Sequence, residues 1–108
     1  MSMYELYGEP SKVGLEIVAE LDTGGSYEFN KVVVWRRKLD GAYLWMADSG
    51  CSCPSPFEDY GVDALKPLTD WRDAALEAAV VNASQYQGQS EAIDFRTKVR
   101  RLLDAAHA

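Results

Sequence analysis

A chain of 108 residues has room for one domain with one hydrophobic core. Hydrophobic residues make up 47% of it and charged residues 26%, which is typical of a globular protein rather than a disordered one. The formal net charge of -6 disfavours non-specific binding to phosphate backbones and anionic lipids. No apolar run approaches the ~18 residues of a membrane span, and the N-terminus lacks the basic and apolar regions of a signal peptide. We therefore expect a cytoplasmic protein with no membrane partner.

Three strands are predicted in the first half of the chain. Apolar and polar residues alternate over residues 15–21, which is typical of a strand with one buried face. A second strand, over residues 27–38, has a continuous apolar centre at residues 32–35, which predicts burial on both faces. Asp40-Gly41 is a hairpin signal because glycine accepts the positive φ of a tight turn. Residues 42–47 then return as the third strand.

A long loop and two helices are predicted to follow. Residues 49–67 hold two Gly, three Pro and three Ser, which is too many chain breakers for regular structure. The first helix is expected to begin near residues 67–70 with Thr69 or Asp70 as its N-cap, and its predicted apolar face consists of Trp71, Ala74, Ala75, Ala78 and Val81. The second is expected to begin at Ser90, and its apolar stripe consists of Ala92, Phe95, Val99, Leu102, Leu103 and Ala106.

The order of these elements predicts the fold class. Strands followed by helices are typical of an α+β domain in which the helices pack on the sheet. We therefore expect a single domain over residues 1–108, with an irregular lead-in at 1–11 and a three-stranded antiparallel β-meander. The long Cys/Pro loop at 49–67 and two C-terminal amphipathic helices complete it.

Cys51 and Cys53 are the first candidates for chemistry. Thiolates bind zinc and act as nucleophiles, so a metal half-site or a thiol sensor is one interpretation. However, a structural zinc site needs four ligands, and a disulfide across one residue would be strained. The favoured interpretation is that both cysteines are small structural residues in a proline-bounded loop. Neither a metal nor another cofactor is therefore predicted.

The other residue types provide no catalytic set. The sole histidine, His107, is next to the last residue of the sequence, where chains usually fray. General-base and triad mechanisms built on imidazole are therefore not expected. Gly24-Gly25 lacks the lysine and the helix opening of a phosphate-binding loop. We predict that the chain is not an enzyme.

Two basic clusters offer another possibility. One lies at the end of the second strand and the other on the last helix: Arg36, Arg37 and Lys38, and Arg96, Lys98, Arg100 and Arg101. Together with aromatic residues on the paired strands, they could form a surface for single-stranded nucleic acid. The net charge favours a solvated charged surface or the docking of an acidic protein instead, so nucleic acid is not the expected partner.

The segment over residues 45–58 reads W-x-x-D-S-G-C-S-C-P-x-P-F-E. This motif resembles small proteins of unassigned function that are encoded by actinobacterial phages, and the likeness extends over about residues 27–68. The resemblance implies expression in the cytoplasm of a bacterial host. It implies no catalytic residues.

The leading hypothesis is an accessory protein that binds a host or phage protein, or that self-associates. The candidate partner-binding residues all belong to the long loop and its borders: Asp48, Cys51, Cys53, Pro54, Pro56, Phe57, Glu58 and Tyr60. Phe57 and Tyr60 are the expected aromatic anchors of an interface. Two alternatives remain open, a thiol- or metal-dependent sensor or enzyme using Cys51 and Cys53, and nucleic-acid binding through the basic clusters at 36–38 and 96–101.

Overall fold

The computed structural model describes residues 6–25, 28–51, 56–57 and 60–106. Within these ranges the chain forms a four-stranded antiparallel sheet with the strand order β1-β2-β3-β4, followed by two α-helices. The elements are β1 (Leu15–Asp22), β2 (Glu28–Arg37), β3 (Tyr43–Cys51), β4 (Lys66–Leu68), α1 (Ala74–Ser84) and α2 (Gln89–Ala106). Two short 3-10 turns, Pro10–Val13 and Val62–Ala64, lie in the connections. The predicted α+β class, with an antiparallel sheet and two helices, is confirmed.

The sheet has four strands rather than the three predicted, because the stretch expected to be a loop contains β4. This short strand pairs with β3, with Leu68 opposite Tyr43 and Lys66 opposite Trp45. Pro67 lies at its centre and has no amide hydrogen to donate, which is tolerated because β4 is an edge strand. Strand β3 also continues beyond residue 47 as far as Cys51, paired with β2. The loop predicted at 49–67 is therefore wrong at both ends.

Strand β2 is buried on both faces, as its apolar centre predicts. Residues 32–35 are each at most 1% exposed. On one face of the sheet, Val32 and Val34 belong to a core that the helices cover, called the helix-side core below. The helices contribute seven buried residues to it, namely Leu76, Val80, Ala83, Ala92, Phe95, Val99 and Leu103. Sheet residues Ala19, Leu21, Trp45 and Leu68 complete this core.

Irregular chain covers the other face of the sheet. Val33 and Trp35 project into this second layer, called the opposite core below, together with Leu6, Leu15, Leu44, Phe57 and Leu65. The indole Nε1 of Trp35 donates a hydrogen bond to the carbonyl oxygen of Leu6 at 2.8 Å. This bond satisfies the polar atom of a fully buried tryptophan and fixes the lead-in against the sheet.

The edges of the sheet are irregular or short. The register between β1 and β2 shifts between Ile17 and Ala19, which marks a β-bulge in the outer strand β1. The tight turn between β2 and β3 contains Gly41 at φ 74°, which confirms the hairpin predicted from Asp40-Gly41.

Helix α1 begins later than predicted. Asp73 is its N-cap, since its Oδ1 accepts a hydrogen bond from the amide of Leu76 at 3.0 Å. Asp70, one of the two predicted caps, instead accepts from the amide of Arg72 within a preceding turn. Several polar residues in this short stretch can cap a helix, and spacing alone does not distinguish them.

Helix α2 matches its predicted stripe closely. Ala92, Phe95, Val99 and Leu103 are buried, whereas Ala106 at its end is exposed. The helix begins at Gln89, just before the predicted cap Ser90. Neither helix in the described part of the chain is long and apolar enough to cross a membrane.

The four helical residues of the apolar face predicted for α1 point away from the sheet, whereas Trp71 precedes the helix and packs, partly buried, against the helix-side core. The residues buried against the sheet are instead Leu76, Val80 and Ala83, while the four predicted helical residues Ala74, Ala75, Ala78 and Val81 are exposed. Helix α1 is thus apolar on both sides, and periodicity alone cannot tell which side the sheet covers. The sheet covers the side with the larger residues, because it removes more apolar surface from water.

Two adjacent glycines in the turn after β1 allow a direct test of this packing. A Cβ atom on Gly24 would lie 2.5 Å from the carbonyl oxygen of Glu28 and 2.7 Å from the Cα of Phe29, whereas one on Gly25 would meet open space. We expect Gly24→Ala to lower the free energy of unfolding by about 2 kcal/mol or more, since backbone must move. Gly25→Ala should change it by less than about 0.5 kcal/mol. Urea denaturation of both variants provides the measurement, and equal losses would contradict this account of the turn.

Candidate functional site

The predicted site residues fall into two groups. The structure describes Asp48, Pro56, Phe57 and Tyr60 in full, and it places the backbone of Cys51 at the end of β3. The side chain of Cys51 and the residues Cys53, Pro54 and Glu58 lie outside the described residues. The thiol hypothesis therefore stays a prediction. Among the side chains that are described, no group of three or more His, Cys, Asp or Glu is placed to hold a metal ion.

Phe57 lies in the opposite core rather than on the surface. Its side chain is fully buried, with its ring edge-on to Trp35 at a centroid distance of 5.2 Å and tilted against Tyr7 at 6.1 Å. Its backbone has a positive φ of 65°, an uncommon conformation for a phenylalanine. The carboxylate of Asp48 accepts a hydrogen bond from the Phe57 amide at 2.8 Å and holds this conformation.

This placement corrects the expectation that Phe57 offers an exposed aromatic anchor. The ring is covered by the chain's own residues, so a partner could not reach it in this structure. Tyr60, whose amide donates to the Phe57 carbonyl at 3.1 Å, is 38% exposed. It is the aromatic residue at this border of the loop that a partner can contact.

A charged cluster next to Phe57 was not predicted from the sequence. The side chain of Lys31 is 10% exposed, and its Nζ lies 2.5 Å from a carboxylate oxygen of Glu20 and 2.8 Å from one of Asp22. The ammonium also lies 4.8 Å from the ring centroid of Tyr7. The Tyr7 hydroxyl donates a hydrogen bond to Glu20. The cluster links β1, β2 and the lead-in.

The surroundings of Lys31, Asp22 and Tyr7 shift the pKa of each group away from neutral pH. Burial opposes the charge of Lys31, but hydrogen bonds to Asp22, Glu20 and Tyr7 outweigh it and raise the Lys31 pKa. Burial also opposes ionisation of Asp22, yet hydrogen bonds from Lys31 and from backbone amides lower its pKa. Burial, with the Glu20 carboxylate, raises the pKa of Tyr7. No group whose pKa shift is resolved here moves towards neutral pH, so the cluster is suited to structural pairing rather than proton transfer.

A groove of about 250 Å³ lies between the two helices. The buried residues Leu76, Val80, Phe95 and Val99 contribute to its lining, and its other lining residues are Trp71, Arg72, Glu77 and Arg96. Arg96 forms a two-pronged ion pair with Glu77, with nitrogen–oxygen distances of 2.7 and 3.1 Å, which joins the two helices across the groove.

Exposed apolar residues continue from this groove. Ala74, Ala75, Ala78 and Val81 form a surface called the α1 outer face below, on which Val81 is 51% exposed. Ile93 of α2 is 61% exposed. Val81 follows Glu77 by one helical turn and Ile93 precedes Arg96 by one turn. Since Glu77 and Arg96 are paired across the antiparallel helices, both apolar side chains lie on the same side of the helix pair.

Most of the predicted basic residues are paired with carboxylates. Arg37 makes a two-pronged contact with Asp40 at 2.8 and 2.9 Å. This contact and a hydrogen bond from the backbone amide of residue 42 lower the pKa of Asp40 to about 2. Arg36 pairs with Glu16, Arg96 with Glu77 and Arg100 with Asp104. No carboxylate partner is seen for Lys98 or Arg101 among the residues that the structure describes. Ion pairs thus neutralise four of the seven predicted basic residues.

A family model described as a domain of unknown function, DUF7574, matches residues 4–107. No curated protein and no solved structure matches the chain.

The buried position of Phe57 leads to a prediction about stability. We expect Phe57→Ala to lower the free energy of unfolding by about 3–5 kcal/mol, because the deletion leaves a cavity against Trp35. Tyr60→Ala, the matched control at an exposed aromatic residue, should cost less than about 1 kcal/mol. Thermal and urea denaturation give both values. A small effect of Phe57→Ala would mean that the ring is not part of the core.

The Lys31 cluster leads to a prediction about pH. Because the pKa of Asp22 is lowered in the folded state, this group stabilises the fold above its ordinary pKa of 3.8, and the contribution is lost as the pH falls through the folded pKa. Lys31→Met should cost about 1–3 kcal/mol at neutral pH, since two carboxylates lose their cation. It should also flatten the loss of stability between about pH 4 and 2.

The control for the stability of Lys31→Met, compared with the wild type across this pH range, is Lys12→Met. Lys12 lies 3.0 Å from Glu9 in an ion pair whose side chains are both more than half exposed. Solvent screens such a pair, so the variant should differ from the wild type by less than about 0.5 kcal/mol. Equal losses in the two variants at neutral pH would contradict a structural role for the Lys31 cluster.

Proposed function

The chain belongs to the DUF7574 family of domains of unknown function, and on that premise we propose that it is a small, non-enzymatic binding protein that self-associates through the α1 outer face. The likeness of residues 45–58 to phage-encoded proteins supports an accessory role for a phage in the cytoplasm of its bacterial host. The observation that carries the proposal is the exposed apolar side of α1.

A helix that is apolar on all sides is typically covered on all sides. Helix α1 carries a single ionisable side chain, Glu77, and that carboxylate is already engaged by Arg96. The rest of its outer side is alanine and valine, apart from Asn82. Helix α2, by contrast, carries charged residues along its exposed side, as a solvated helix does. Of the two helices, α1 is therefore the one whose exposed side is apolar and stays uncovered in the described part of the chain.

A second copy of the same helix fits this surface. Two α1 helices that cross antiparallel about Ala78 place Ala75 of one copy opposite Val81 of the other, twice, because the arrangement is symmetric. Small residues opposite larger ones allow close packing. The α1 outer face itself carries no charge, so the repulsion between two chains of net charge -6 is not concentrated at the contact.

The size of the surface limits the strength of the association. One helical face with the neighbouring Ile93 lies at the small end of protein interfaces. We therefore expect a reversible dimer with a dissociation constant on the order of micromolar, which the local concentration of the protein regulates.

Sedimentation equilibrium over a range of protein concentrations tests the proposal. The wild type should change from monomer to dimer as the concentration rises. Val81→Glu should remain monomeric, because the symmetric contact would bury two carboxylates. The matched control is Leu39→Glu in the turn between β2 and β3, which is 92% exposed and far from the helices in sequence. It should dimerise like the wild type.

Circular dichroism and a thermal melt of each variant confirm that the fold is intact. A wild type that stays monomeric at several hundred micromolar, well above the expected dissociation constant, would overturn the proposal. Equal weakening by Val81→Glu and Leu39→Glu would also overturn it, because the contact would then not lie on α1.

A further inference from the structure

A second groove, of about 450 Å³, lies where the last turns of α2 cross the sheet. Strands β2 and β3 provide Arg36 and Tyr43, which are paired directly opposite each other. Helix α2 provides Lys98 and Arg101, with apolar lining from Leu102 and the alanines at 105 and 106. The groove thus joins one residue from the first basic cluster to two from the second.

The fold explains why these side chains meet. Residue pairs across the sheet alternate between its two faces, and the row of Arg36, Tyr43 and Leu68 lies on the face that the helices cover. Lys98 and Arg101 are three residues apart and therefore lie on one side of α2. Their side of α2 meets this row at the end of the sheet. No sequence motif marks the arrangement, because its parts are more than 50 residues apart.

Two of the three positive charges in the groove have no ion-pair partner among the described residues. Arg36 is held by Glu16 at 3.0 Å, but no carboxylate partner is seen for Lys98 or Arg101 within the described ranges. On its far side Lys98 borders a different depression that Glu20, Glu91 and Asp94 also line. Arg101 is therefore the less compensated of the two cations. Neighbouring like charges on a helix are unfavourable, and an anion in the groove would relieve this repulsion.

We propose that this groove binds the phosphate of a nucleotide. Arg101 and Lys98 hold the phosphate through charge-assisted hydrogen bonds, while the base packs on Tyr43 and the apolar wall at Leu102. The half-buried ring beside the cations distinguishes this groove from a site for a bare inorganic anion. Its volume lies within the range of about 300–1,000 Å³ that is typical of small-molecule sites.

A nucleotide phosphate can come from a free mononucleotide or from a single-stranded nucleic acid. The net charge of -6 opposes binding along an extended strand, whereas a single groove of this size accommodates about one nucleotide. The shared chemistry is one phosphate next to one aromatic base, and the experiment separates the two sources.

Isothermal titration calorimetry at low salt tests the proposal with four probes, namely AMP, adenosine, inorganic phosphate and an eight-nucleotide oligo(dA). AMP should bind at least about tenfold more tightly than adenosine or phosphate, because only AMP contacts both the cations and the aromatic wall of the groove. Tighter binding of AMP than of the oligonucleotide per nucleotide identifies a free nucleotide as the source. Tighter binding of the oligonucleotide, with an affinity that falls steeply with salt, identifies a strand.

Variants then locate the site. Lys98→Ala with Arg101→Ala should weaken binding of the preferred probe by at least about tenfold, and alanine preserves the helix because it is the best helix former. Tyr43→Leu should reduce the preference for AMP over inorganic phosphate. The control is Arg72→Ala, an exposed arginine that lines the other groove. Circular dichroism verifies the fold of each variant.

Three results would overturn the proposal. One is no detectable binding of either AMP or the oligonucleotide. Another is equal affinity for AMP and inorganic phosphate, which would show that the aromatic wall plays no part. The third is equal weakening by the Lys98/Arg101 double variant and by Arg72→Ala, which would show that binding depends on overall charge rather than on this groove.

Discussion

The need to cover strand β2 on both faces is the constraint on which the rest of the structure depends. Val32 and Val34 project to one side and Val33 and Trp35 to the other, and all four side chains are buried. Two helices cover the first side. In the described part of the chain no third helix covers the second side, so irregular segments cover it instead. Leu6 accepts the indole hydrogen bond of Trp35, and Phe57 packs edge-on against its ring.

This requirement explains the buried position of Phe57. Within the loop predicted at 49–67, Phe57 lies in the opposite core and takes a positive φ, which brings its ring inward. The carboxylate of Asp48 holds the amide of Phe57 from the neighbouring strand. Conformational strain of this kind persists only where the surroundings determine it. Phe57 is therefore a packing residue, and the role of the two thiols stays a prediction.

The sequence predicted correctly those elements whose pattern of apolar residues is compatible with only one buried arrangement. Helix α2 has a single apolar stripe, and β2 has a run of β-branched residues that only a doubly covered strand can bury. It did not predict β4, because three residues containing a proline carry no periodic signal. It also assigned the wrong side of α1 to the core, since both sides are apolar and periodicity alone does not show which side the sheet covers.

The contacts between side chains were the least predictable aspect of the structure. Most of the basic residues that form two clusters along the chain are paired with carboxylates in the folded protein. The partners of Lys31 lie across the β1–β2 hairpin and in the lead-in, so no local pattern contains them. The residues of the second groove likewise meet only because α2 crosses the end of the sheet. Such contacts follow from tertiary geometry, which the order of residues does not encode locally.

The edges of the sheet have a consequence for how the protein behaves at high concentration. An open strand edge presents unpaired amides and carbonyls, which recruit further chains into fibrillar aggregates. Here one edge, β4, is only three residues long and has Pro67 at its centre, and the other, β1, is interrupted by a bulge. Both devices deny an incoming strand the regular ladder that it needs. Strand addition is therefore disfavoured at β1 and at β4, and the part of the sheet edge that no described strand covers is β3 beyond Trp45.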